Sequence, residues 1–279
     1  MIISDQCEAE VVADSVNPYA RVTTMLLTYP RIVHTHLLTH RMLSKNSSSS
    51  RAIPTSTNLK HLRERTAEPV FWGANQPGMQ SYTELSPFKR GACRLVWHAL
   101  AKVSAAGSST LAFLGAHKQI ANRPTEAYSY IRVLVTATEW ENWFKLRLHH
   151  AADPTIQQLA QRMKEAMDNS TPKHLKPGEW HSPFSEDLTI SVSCSAQTSY
   201  RKLDDSPEKA ERVFKLLNLN DPDEPAHSSP TEHQALYVKH PSFRTKGFTH
   251  LDRAGNYWSG NLKGWVQLRH HLEQRNGTL

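Results

Sequence analysis

The stretch of residues 22–51 constrains the fold of this chain most, because its pattern changes twice within a short length. Residues 22–28 (VTTMLLT) are apolar and β-branched, which predicts a strand that ends near Pro30. Proline suits the first turn of a helix, and the apolar residues that follow at helical spacing are Ile32, Val33, Leu37 and Leu38. We therefore expect a strand, a proline turn and a short helix in direct succession.

The segment of residues 39–51 (THRMLSKNSSSSR), called the polar segment, comes directly after this helix. It holds one histidine, two arginines, one lysine, one asparagine and five serines in 13 residues. Arginine offers a planar fork of donors, and serine hydroxyls with backbone N–H groups complete a cradle for an anion. The other interpretation is a solvated helix end that runs into a serine-rich linker, because short motifs often match by chance.

A pair of histidines in the same region raises the question of a metal site. His36 and His40 lie one helical turn apart on the same face, which is a spacing that metal ligands use. No Asp, Glu or Cys nearby completes a ligand set. We therefore expect no metal here, and a polar or substrate-facing surface instead.

Charge and composition narrow the class of partner. The chain has 279 residues, of which 38% are hydrophobic and 21% charged, as is typical of a soluble globular protein. A formal net charge of +7 favours anionic partners such as nucleotides or nucleic acids. Lys and Arg are scattered, and no helix-turn-helix or zinc-finger spacing is present. We therefore expect a small anionic substrate and no stable nucleic-acid complex.

The cysteines indicate the compartment. Cys7, Cys93 and Cys194 are odd in number and widely separated, which disfavours a disulfide framework and suits a reducing cytoplasm. The chain does not open with a signal segment, and no apolar run approaches the roughly 20 residues that span a bilayer. The expectation is a soluble, cytoplasmic protein without a membrane partner.

The rest of the chain alternates between helix and strand patterns. Helices are predicted for residues 87–106, 109–121, 139–148, 154–167 and 206–217, and strands for residues 131–138, 188–193 and 234–238. Loops are predicted for residues 52–87, as a lid, a binding loop or a disordered stretch, and for residues 171–187, whereas residues 257–272 should be ordered. The apolar residues of the first helix that should face the core are Leu95, Val96, Ala99, Leu100 and Val103.

The polar segment resembles the signature of the flavin-dependent thymidylate synthases, which reads Arg-His-Arg, seven residues, then Ser-Gly-Arg. Residues 39–41 (THR) stand at the first triplet, and residues 49–51 (SSR) follow at the same spacing. Asn46 also falls where that family commonly has asparagine. The strand, proline and helix upstream look like the family's approach to this motif.

A second match lies downstream in the same register. The family has an asparagine, then an arginine five residues on, then a helix that begins Ala-Gln-x-Glu-Ile. This chain has Asn142, Arg147 and residues 152–156 (ADPTI) at the corresponding places. Several separated matches in one register are harder to explain by chance than a single motif.

Two further similar segments occur in a different order from the family. The family's Ala-Arg-Val-Ser-Phe/Tyr segment and its His-Glu-x-Pro-x-Glu-His segment precede the Arg-His-Arg motif. Here the similar residues 196–200 (AQTSY) and 227–233 (HSSPTEH) follow it. The hypothesis is a circularly permuted relative that forms one domain over residues 1–279, with motif segments at 20–170 and then 188–240.

The resemblance implies an α+β fold, with a mixed or antiparallel sheet packed with several helices. It also implies a reductive one-carbon transfer to carbon 5 of a pyrimidine deoxynucleotide, with dUMP to dTMP as the expected conversion. The implied cofactor is FAD, the carbon donor is methylenetetrahydrofolate and the reductant is NADPH, while the protein supplies orientation and charge. A homotetramer is implied, because the family assembles its sites from several subunits.

The resemblance assigns roles to individual residues. Ser49 and Arg51 are expected to hold the nucleotide phosphate, and Arg147 to neutralise negative charge that develops on the pyrimidine ring. His227 is expected near the flavin and the folate. The implied residues are, for catalysis, Arg147 and His227; for FAD, His40, Arg41, Asn46, Asn142, Ser199 and Ser229; and for the substrate, His36, Thr39, Ser49, Ser50, Arg51, Arg123 and Arg147.

This chain also departs from the family pattern around the nucleotide. The departures are Thr39 for arginine, His36 for glutamine, Ser47 for glutamate, Ala52 for tyrosine and Gln197 for arginine, with Arg123 and Lys118 nearest to the family's second phosphate-binding arginine. Two alternatives to thymidylate formation therefore stay open. One is methylation or hydroxymethylation of dCMP or dUMP for nucleotide hypermodification, and the other is nucleotide binding without catalysis.

Overall fold

A five-stranded sheet forms the centre of the computed structural model, which describes residues 5–199, 203–219 and 226–275. Its strands are β1 (Glu8–Val16), β2 (Arg21–Pro30), β3 (Ser44–Ser47), β4 (Tyr130–Ala137) and β5 (Lys173–His174). Their spatial order is β3-β4-β2-β1-β5, and neighbours are antiparallel except for the parallel pair β1 and β5. With the helices that surround this mixed sheet, the α+β class expected from the sequence is confirmed.

Helices and shorter strands surround this sheet. The helices are α1 (His34–Leu38), α2 (Thr55–Glu64), α3 (Pro87–Phe113), α4 (Lys118–Ala121), α5 (Glu141–Arg147), α6 (Pro154–Asp168), α7 (Leu188–Ala196), α8 (Pro207–Leu216) and α9 (Leu268–Arg275). Two further sheets contain β6 (Trp180–His181), β7 (Ala235–Leu236), β8 (His250–Leu251), β9 (Tyr257–Ser259), β10 (Leu262–Lys263) and β11 (Val266–Gln267), in the orders β10-β9-β8 and β11-β7-β6. None of the helices in the described part of the chain is both long and apolar enough to cross a membrane.

The central strand β2 determines where the polar segment lies. Its pairing with β4 runs from Thr23 to Pro30. On the other side of β4 the middle of the polar segment forms the edge strand β3, so the polar segment belongs to the sheet and is not a linker. Residues 39–43 therefore lie beyond one end of β3, and residues 48–51 lie beyond the other.

The core lies between one face of the sheet and helices α5 and α6. Asp153 caps α6, because its carboxylate accepts hydrogen bonds from the backbone N–H groups of Thr155 and Ile156. The apolar face predicted for this helix is buried through Ile156, Leu159, Ala160 and Met163. Burying each of the larger of these side chains contributes roughly 1.5–3 kcal/mol, so this face anchors α6 to the sheet.

Predictions that rested on a strong local pattern are confirmed. Strands β2 and β4 and helices α1, α5, α6 and α8 lie where strands and helices were expected. Ser206 caps α8, since its hydroxyl oxygen accepts a hydrogen bond from the backbone N–H of Lys209. Strand β7 occupies two residues of the predicted strand 234–238, and residues 257–272 form β9, β10, β11 and the start of α9.

The strand predicted for residues 188–193 is wrong, because these residues begin helix α7. Asp187 caps this helix by accepting hydrogen bonds from the backbone N–H groups of Thr189 and Ile190. Residues 191–195 are all buried, so serines occur on every side of the helix and no polar face marks its period. The alternation of serine with apolar residues therefore resembled a strand.

Three other predictions of local structure are also corrected. The predicted loop 52–87 contains α2, whose Asn58, Leu59 and Leu62 are buried. The predicted helix 109–121 is instead the end of α3 followed by the short α4, so α3 is one continuous helix of 27 residues. The predicted loop 171–187 contains the short strands β5 and β6. Short elements that gain stability from tertiary pairing carry little local signal.

The apolar face of α3 does not belong to the core of this chain, contrary to the prediction. Its side chains Leu95, Val96, Leu100 and Val103 are 74%, 58%, 49% and 68% exposed. The hydrophobic period of the helix was recognised correctly. Periodicity shows that a helix has an apolar face but does not show what covers that face. The described residues of the same chain leave it open to solvent.

A chain of buried hydroxyl and imidazole groups links β1, β2 and β4 to the C-terminal part of the protein. His181 lies 2.9 Å through Nδ1 from Ser15 Oγ and 2.8 Å through Nε2 from Thr24 Oγ1. Thr24 Oγ1 lies 2.7 Å from Thr136 Oγ1, which lies 2.8 Å from His233 Nδ1. Burial lowers the pKa of His181 to about 4 and the pKa of His233 to about 3. Both imidazoles are therefore neutral in the folded protein at pH 7.

Because these two histidines are neutral in the folded protein, we expect the free energy of unfolding to fall on mild acidification. An unfolded histidine has a pKa near 6.5, so below that pH the unfolded chain binds two protons that the folded chain does not. The pair should lower the free energy of unfolding by about 2 kcal/mol between pH 6.5 and pH 5.5, and further until the folded pKa values are reached. Urea unfolding at a series of pH values measures this slope. The variant His181→Asn/His233→Asn should be less stable at pH 7 but lack this part of the slope, and an equal slope in both proteins would contradict the assignment.

Candidate active site

A cleft of about 580 Å³, called the arginine cleft, lies between the end of α1 and helix α5. It is lined by five of the residues that the resemblance singles out: Thr39, His40, Arg41, Asn142 and Arg147. Helix α5 follows directly after β4, and β4 pairs with β3. The order of the strands therefore brings together side chains that are 107 positions apart.

Arg147 is bound firmly to the end of α1. Its Nε donates a hydrogen bond to His40 Nε2 at 3.0 Å. A terminal nitrogen donates to Thr39 Oγ1 at 3.2 Å and to the carbonyl oxygen of His36 at 3.3 Å. Thr39 Oγ1 in turn donates to the same His36 carbonyl oxygen at 2.8 Å. The threonine that replaces the family's arginine thus helps to orient the guanidinium group.

His40 is a neutral acceptor in this arrangement. Burial, the charge of Arg147 and the charge of Lys45 lower the pKa of His40 to about 4. Because Nε2 accepts from Arg147, the ring proton of the neutral imidazole lies on Nδ1. The ring also packs edge-on against the buried Trp143, with centroids 4.8 Å apart. His40 therefore orients Arg147 and is not an acid at neutral pH, and its Nε2 is not free for a metal ion.

The other end of the polar segment forms a loop, and residues 122–126 hold this loop in place. The Ser50 hydroxyl donates to Glu126 Oε1 at 2.7 Å. The side-chain amide of Asn122 donates to the carbonyl oxygens of Ser50 and Ile53 at 2.8 and 2.9 Å. Ser49 and the side chain of Arg51 stay exposed, and Arg51 makes no side-chain hydrogen bond or ion pair with the described part of the chain.

Cations outnumber carboxylates around this loop. Arg31 and Arg123 both approach Glu126, at 3.9 and 3.1 Å, and Lys118 donates to the carbonyl oxygen of Ala52 at 3.1 Å. The buried Nε of Arg31 has no hydrogen-bond partner among the described residues. With Arg51 added, the loop carries an excess of positive charge that suits a phosphate. Arg31 was not predicted as a site residue, because its only signal in the sequence is its place directly after Pro30.

The two ends of the polar segment are separate sites within one chain. Strand β3 has four residues and spans about 13 Å at roughly 3.3 Å per residue, and it lies between residues 39–41 and residues 49–51. The structure thus brings His40 and Arg147 together but does not bring Ser49, Ser50, Arg51 or Arg123 into the arginine cleft. A single chain therefore has His40 and Arg147 at one end of β3 and the residues 49–51 with Arg123 at the other.

The C-terminal segments lie beside the polar segment. The hydroxyl oxygen of Ser199 accepts a hydrogen bond from the backbone N–H of Ser49 at 2.9 Å. The side-chain amide of Asn46 donates to the carbonyl oxygen of Ser195 at 2.6 Å. Ser199 also lines a second cleft, of about 520 Å³, on the other side of the sheet from α6 together with Ser48. The out-of-order segment 196–200 therefore contacts the motif that it precedes in the family, although Tyr200 lies outside the described residues.

The segment 227–233 packs against β3 but its first residues do not enter the arginine cleft. The 3₁₀ turn Ser229–Glu232 lies next to β3. His227 and Ser229 are exposed, and neither lines the cleft. His36 does not line it either, although its carbonyl oxygen binds Arg147 and its ring Nδ1 is buried without a partner among the described residues. These three residues lie near the site without forming its wall.

The donors of the arginine cleft fit one end of a flavin nucleotide such as the FAD that the resemblance implies. The side chains of Arg41 and Asn142 make no hydrogen bond or ion pair with the described residues, so their donors are available to a ligand. A volume of about 580 Å³ lies within the range of small-molecule sites. The fit covers this cleft alone, because Ser199 and Ser229 lie elsewhere.

Comparison with solved structures found matching chains. One is the UMP/dUMP methylase PolB from Streptomyces cacaoi bound with 5-Br UMP, at 18% identity and a TM-score of 0.47, with 58% of this chain and 89% of that chain covered. Another is the same methylase bound with 5-Br dUMP, at 20% identity and a TM-score of 0.43, with 53% and 66% covered. No curated protein matches the chain.

Comparison with protein families found a match. The model of the thymidylate synthase complementing protein family matches residues 14–173, which is more than half of the chain. This range runs from β1 to β5 and contains the polar segment, Asn142 and Arg147. The chain therefore belongs to the thymidylate synthase complementing protein family, the flavin-dependent thymidylate synthases.

Proposed function

We propose that this protein transfers a one-carbon unit from methylenetetrahydrofolate to carbon 5 of a pyrimidine deoxynucleotide, converting dUMP to dTMP. FAD is the proposed cofactor and NADPH the proposed reductant. The observation that carries the proposal is the convergence of His40, Asn142 and Arg147 in one cleft of a chain from this family. Reduced FAD, when bound, supplies the hydride for this reductive transfer.

Arg147 is the proposed catalytic residue of the cleft. Its guanidinium group is oriented by His40 Nε2 and Thr39 Oγ1 before any substrate arrives. A cation held in this way stabilises negative charge that develops on a pyrimidine ring, and it needs no reorganisation during the reaction. The neighbouring Arg41 and Asn142 bind and orient the flavin in this proposal, since both have free donors at the cleft.

The cysteines support a route without a cysteine nucleophile. Burial raises the pKa of Cys7 to about 12 and the pKa of Cys194 to about 11. The thiolate is the nucleophilic form of cysteine, and a raised pKa makes it scarce at neutral pH. None of the three cysteines, including the partly exposed Cys93, lines the arginine cleft. The carbon is therefore proposed to reach the pyrimidine without a covalent bond to cysteine.

The loop after β3 is the proposed phosphate site. Ser49 and Arg51 would contact the phosphate. Ser50 lies in the same loop and donates a hydrogen bond to Glu126, and Arg123 pairs with the same carboxylate. Because β3 separates this loop from Arg147, one nucleotide would be bound by the loop of one subunit and the arginine cleft of another. The exposed apolar face of α3, about 40 Å long at 1.5 Å per residue, supports such an assembly, and we propose a homotetramer.

The permuted single-domain arrangement is part of the same proposal. It is supported by the hydrogen bond between Ser49 and Ser199 and by the packing of the turn Ser229–Glu232 against β3. In the assembly, the exposed His227 and Ser229 would approach the flavin and the folate from the outside of the arginine cleft. Asn46 would act indirectly, because its side chain is already bound to the carbonyl oxygen of Ser195.

One assay tests the function. The purified protein should be yellow or become so with FAD, and with methylenetetrahydrofolate and NADPH it should convert dUMP to a product with the mass of dTMP. Parallel reactions with dCMP test the alternative base, and the product mass separates a methyl from a hydroxymethyl group. A protein that binds dUMP but forms no product with any of these nucleotides would be a binding protein, and the proposal would be wrong.

The phosphate assignment makes its own prediction. Replacing Arg51 by alanine should weaken dUMP binding by about 1.5–3 kcal/mol, or roughly 10- to 150-fold in Kd, because a charge-assisted hydrogen bond is lost. Isothermal titration calorimetry measures this change. Arg212→Ala, at an exposed arginine of α8, is the matched control and should leave Kd unchanged. Equal affinities of wild type and Arg51→Ala would mean that the phosphate binds elsewhere.

A further inference from the structure

One aromatic residue of the arginine cleft comes from outside the family match. The cleft is lined by residues 39–43, by residues from 139 to 147, and by Trp258. The family model ends at residue 173, so Trp258 belongs to a part of the chain that the family does not define. The hairpin β9–β10 and its neighbour β8 therefore add a wall to the site.

Trp258 is held rigidly by its own small sheet. It lies on the middle strand, where it pairs with His250 on one side and Lys263 on the other. Its indole Nε1 donates a hydrogen bond to Asp252 Oδ2 at 3.1 Å. The Asp252 carboxylate also accepts hydrogen bonds from the backbone and side-chain nitrogens of Asn256. The indole N–H of Trp258 thus already has its hydrogen-bond acceptor, and the faces of the ring need no hydrogen bond.

The small sheet is docked at the edge of the cleft by two contacts of Lys263. The backbone N–H of Lys263 donates to Thr138 Oγ1 at 3.0 Å, and its ammonium group lies 3.7 Å from Glu139 Oε1. Thr138 and Glu139 lie between β4 and α5, directly before the helix that carries Asn142 and Arg147. The same ammonium group lies 5.9 Å from the centroid of the Trp258 ring. The position of Trp258 is therefore tied to that of Arg147 through a short stretch of chain.

A half-buried indole ring in a cleft with polar and charged walls suits one kind of ligand surface. Tryptophan stacks well on flat heteroaromatic rings. The cations and amide donors of the cleft bind the polar edge of such a ring, and the indole covers its face. The combination recognises a planar ring with polar atoms at its rim.

We propose that Trp258 is a ligand-binding residue that stacks on the heteroaromatic ring of the ligand bound beside His40 and Arg147. The ring is the pyrimidine of the nucleotide or the isoalloxazine of the flavin. This inference rests on the proposed function, because it uses the ligands of that function. It goes further by assigning a binding role to the C-terminal sheet, which the family match leaves out.

Separate titrations of dUMP and of FAD into the purified full-length protein test the proposal. Trp258→Ala should raise the Kd of the stacked ligand by about 5- to 100-fold, while Trp258→Phe, which keeps a ring face, should raise it by less than about 5-fold. The ligand whose Kd changes is the one that Trp258 covers. Binding of that ligand should also quench tryptophan fluorescence in wild type and less so in Trp258→Phe.

A matched control and the opposing outcomes complete the experiment. Trp180→Phe replaces another half-buried tryptophan of the C-terminal region that does not line the cleft, so it should retain wild-type Kd values and ligand quenching. If Trp258→Ala does not fold, the quenching of wild type and Trp258→Phe decides. Unchanged Kd values and quenching in the Trp258 variants overturn this inference alone. A wild-type protein that binds neither dUMP nor FAD overturns the proposed function and the inference together.

Discussion

Replacing Arg147 by alanine is expected to lower kcat/KM for the proposed nucleotide by about 100- to 1,000-fold, which corresponds to about 2.7–4 kcal/mol. The reason is that the guanidinium group is the cation best placed for charge on the pyrimidine, since His40 and Thr39 orient it in advance. Burial lowers the pKa of Arg147, but an arginine remains charged at neutral pH. Steady-state kinetics with dUMP, methylenetetrahydrofolate and NADPH measures the effect.

Lysine should restore little of this loss. Arg147 uses Nε for His40 and a terminal nitrogen for Thr39 and the His36 carbonyl oxygen, and one ammonium group cannot reproduce that fork. Arg162→Ala is a matched control, because Arg162 lies on the surface of α6 and pairs with Asp5 and Glu165 away from the cleft. Its kcat/KM should equal that of wild type. An Arg147→Ala protein with wild-type kcat/KM would remove Arg147 from the catalytic machinery.

Placing two glutamates on the apolar face of α3 is expected to dissociate the proposed homotetramer and remove at least about nine-tenths of the proposed activity. Val96 and Val103 lie two turns apart on the same side of the helix and are largely exposed in the single chain. Burying a carboxylate in an apolar interface costs several kcal/mol, so Val96→Glu/Val103→Glu should fold but not assemble. Light scattering after gel filtration gives the mass of each form.

Activity falls in this variant for a geometric reason. The loop of residues 48–51, which is the proposed phosphate site, and the arginine cleft lie at opposite ends of β3, so a separated subunit is not expected to offer both to one nucleotide. Gln161→Glu, at an exposed position of α6, adds a charge outside α3 and should stay assembled and active. Two results would contradict the model of assembly: a double variant that keeps the wild-type mass and activity, or a wild-type protein that is fully active as a monomer.

Local sequence patterns predicted the elements whose stability is encoded locally. Strand β4 has a run of β-branched residues, and α6 begins at Pro154 and has an apolar face, so both were predicted near their observed bounds. Helix α7 escaped this reasoning because it is buried on most sides and carries serines in its interior. The helical period of hydrophobic residues is not visible in such a sequence, because serines also occupy buried positions. Ser191 and Ser195 can be buried because their hydroxyl oxygens accept hydrogen bonds from the side-chain amide of Gln234.

The candidate site was predictable only where a family motif marked it. The resemblance identified His40, Asn142 and Arg147, and the structure brings these three to one cleft. Arg31 and Trp258 carried no motif, because each reaches its place through the order of strands or through the docking of a distant hairpin. Contacts between residues far apart in sequence depend on sheet register, which no short segment encodes.

The sequence alone identified the family, strands β2 and β4, and five residues of the arginine cleft, since these depend on local patterns and on a spaced motif. The three-dimensional structure was needed to show that the polar segment becomes an edge strand, and that its two ends lie apart in one chain. It also decided that the apolar face of α3 lies open, because periodicity reports that a face must be covered but not what covers it. Strand order, register and the packing of distant segments are properties of the whole chain. They place Thr39 and Arg51 beyond opposite ends of β3.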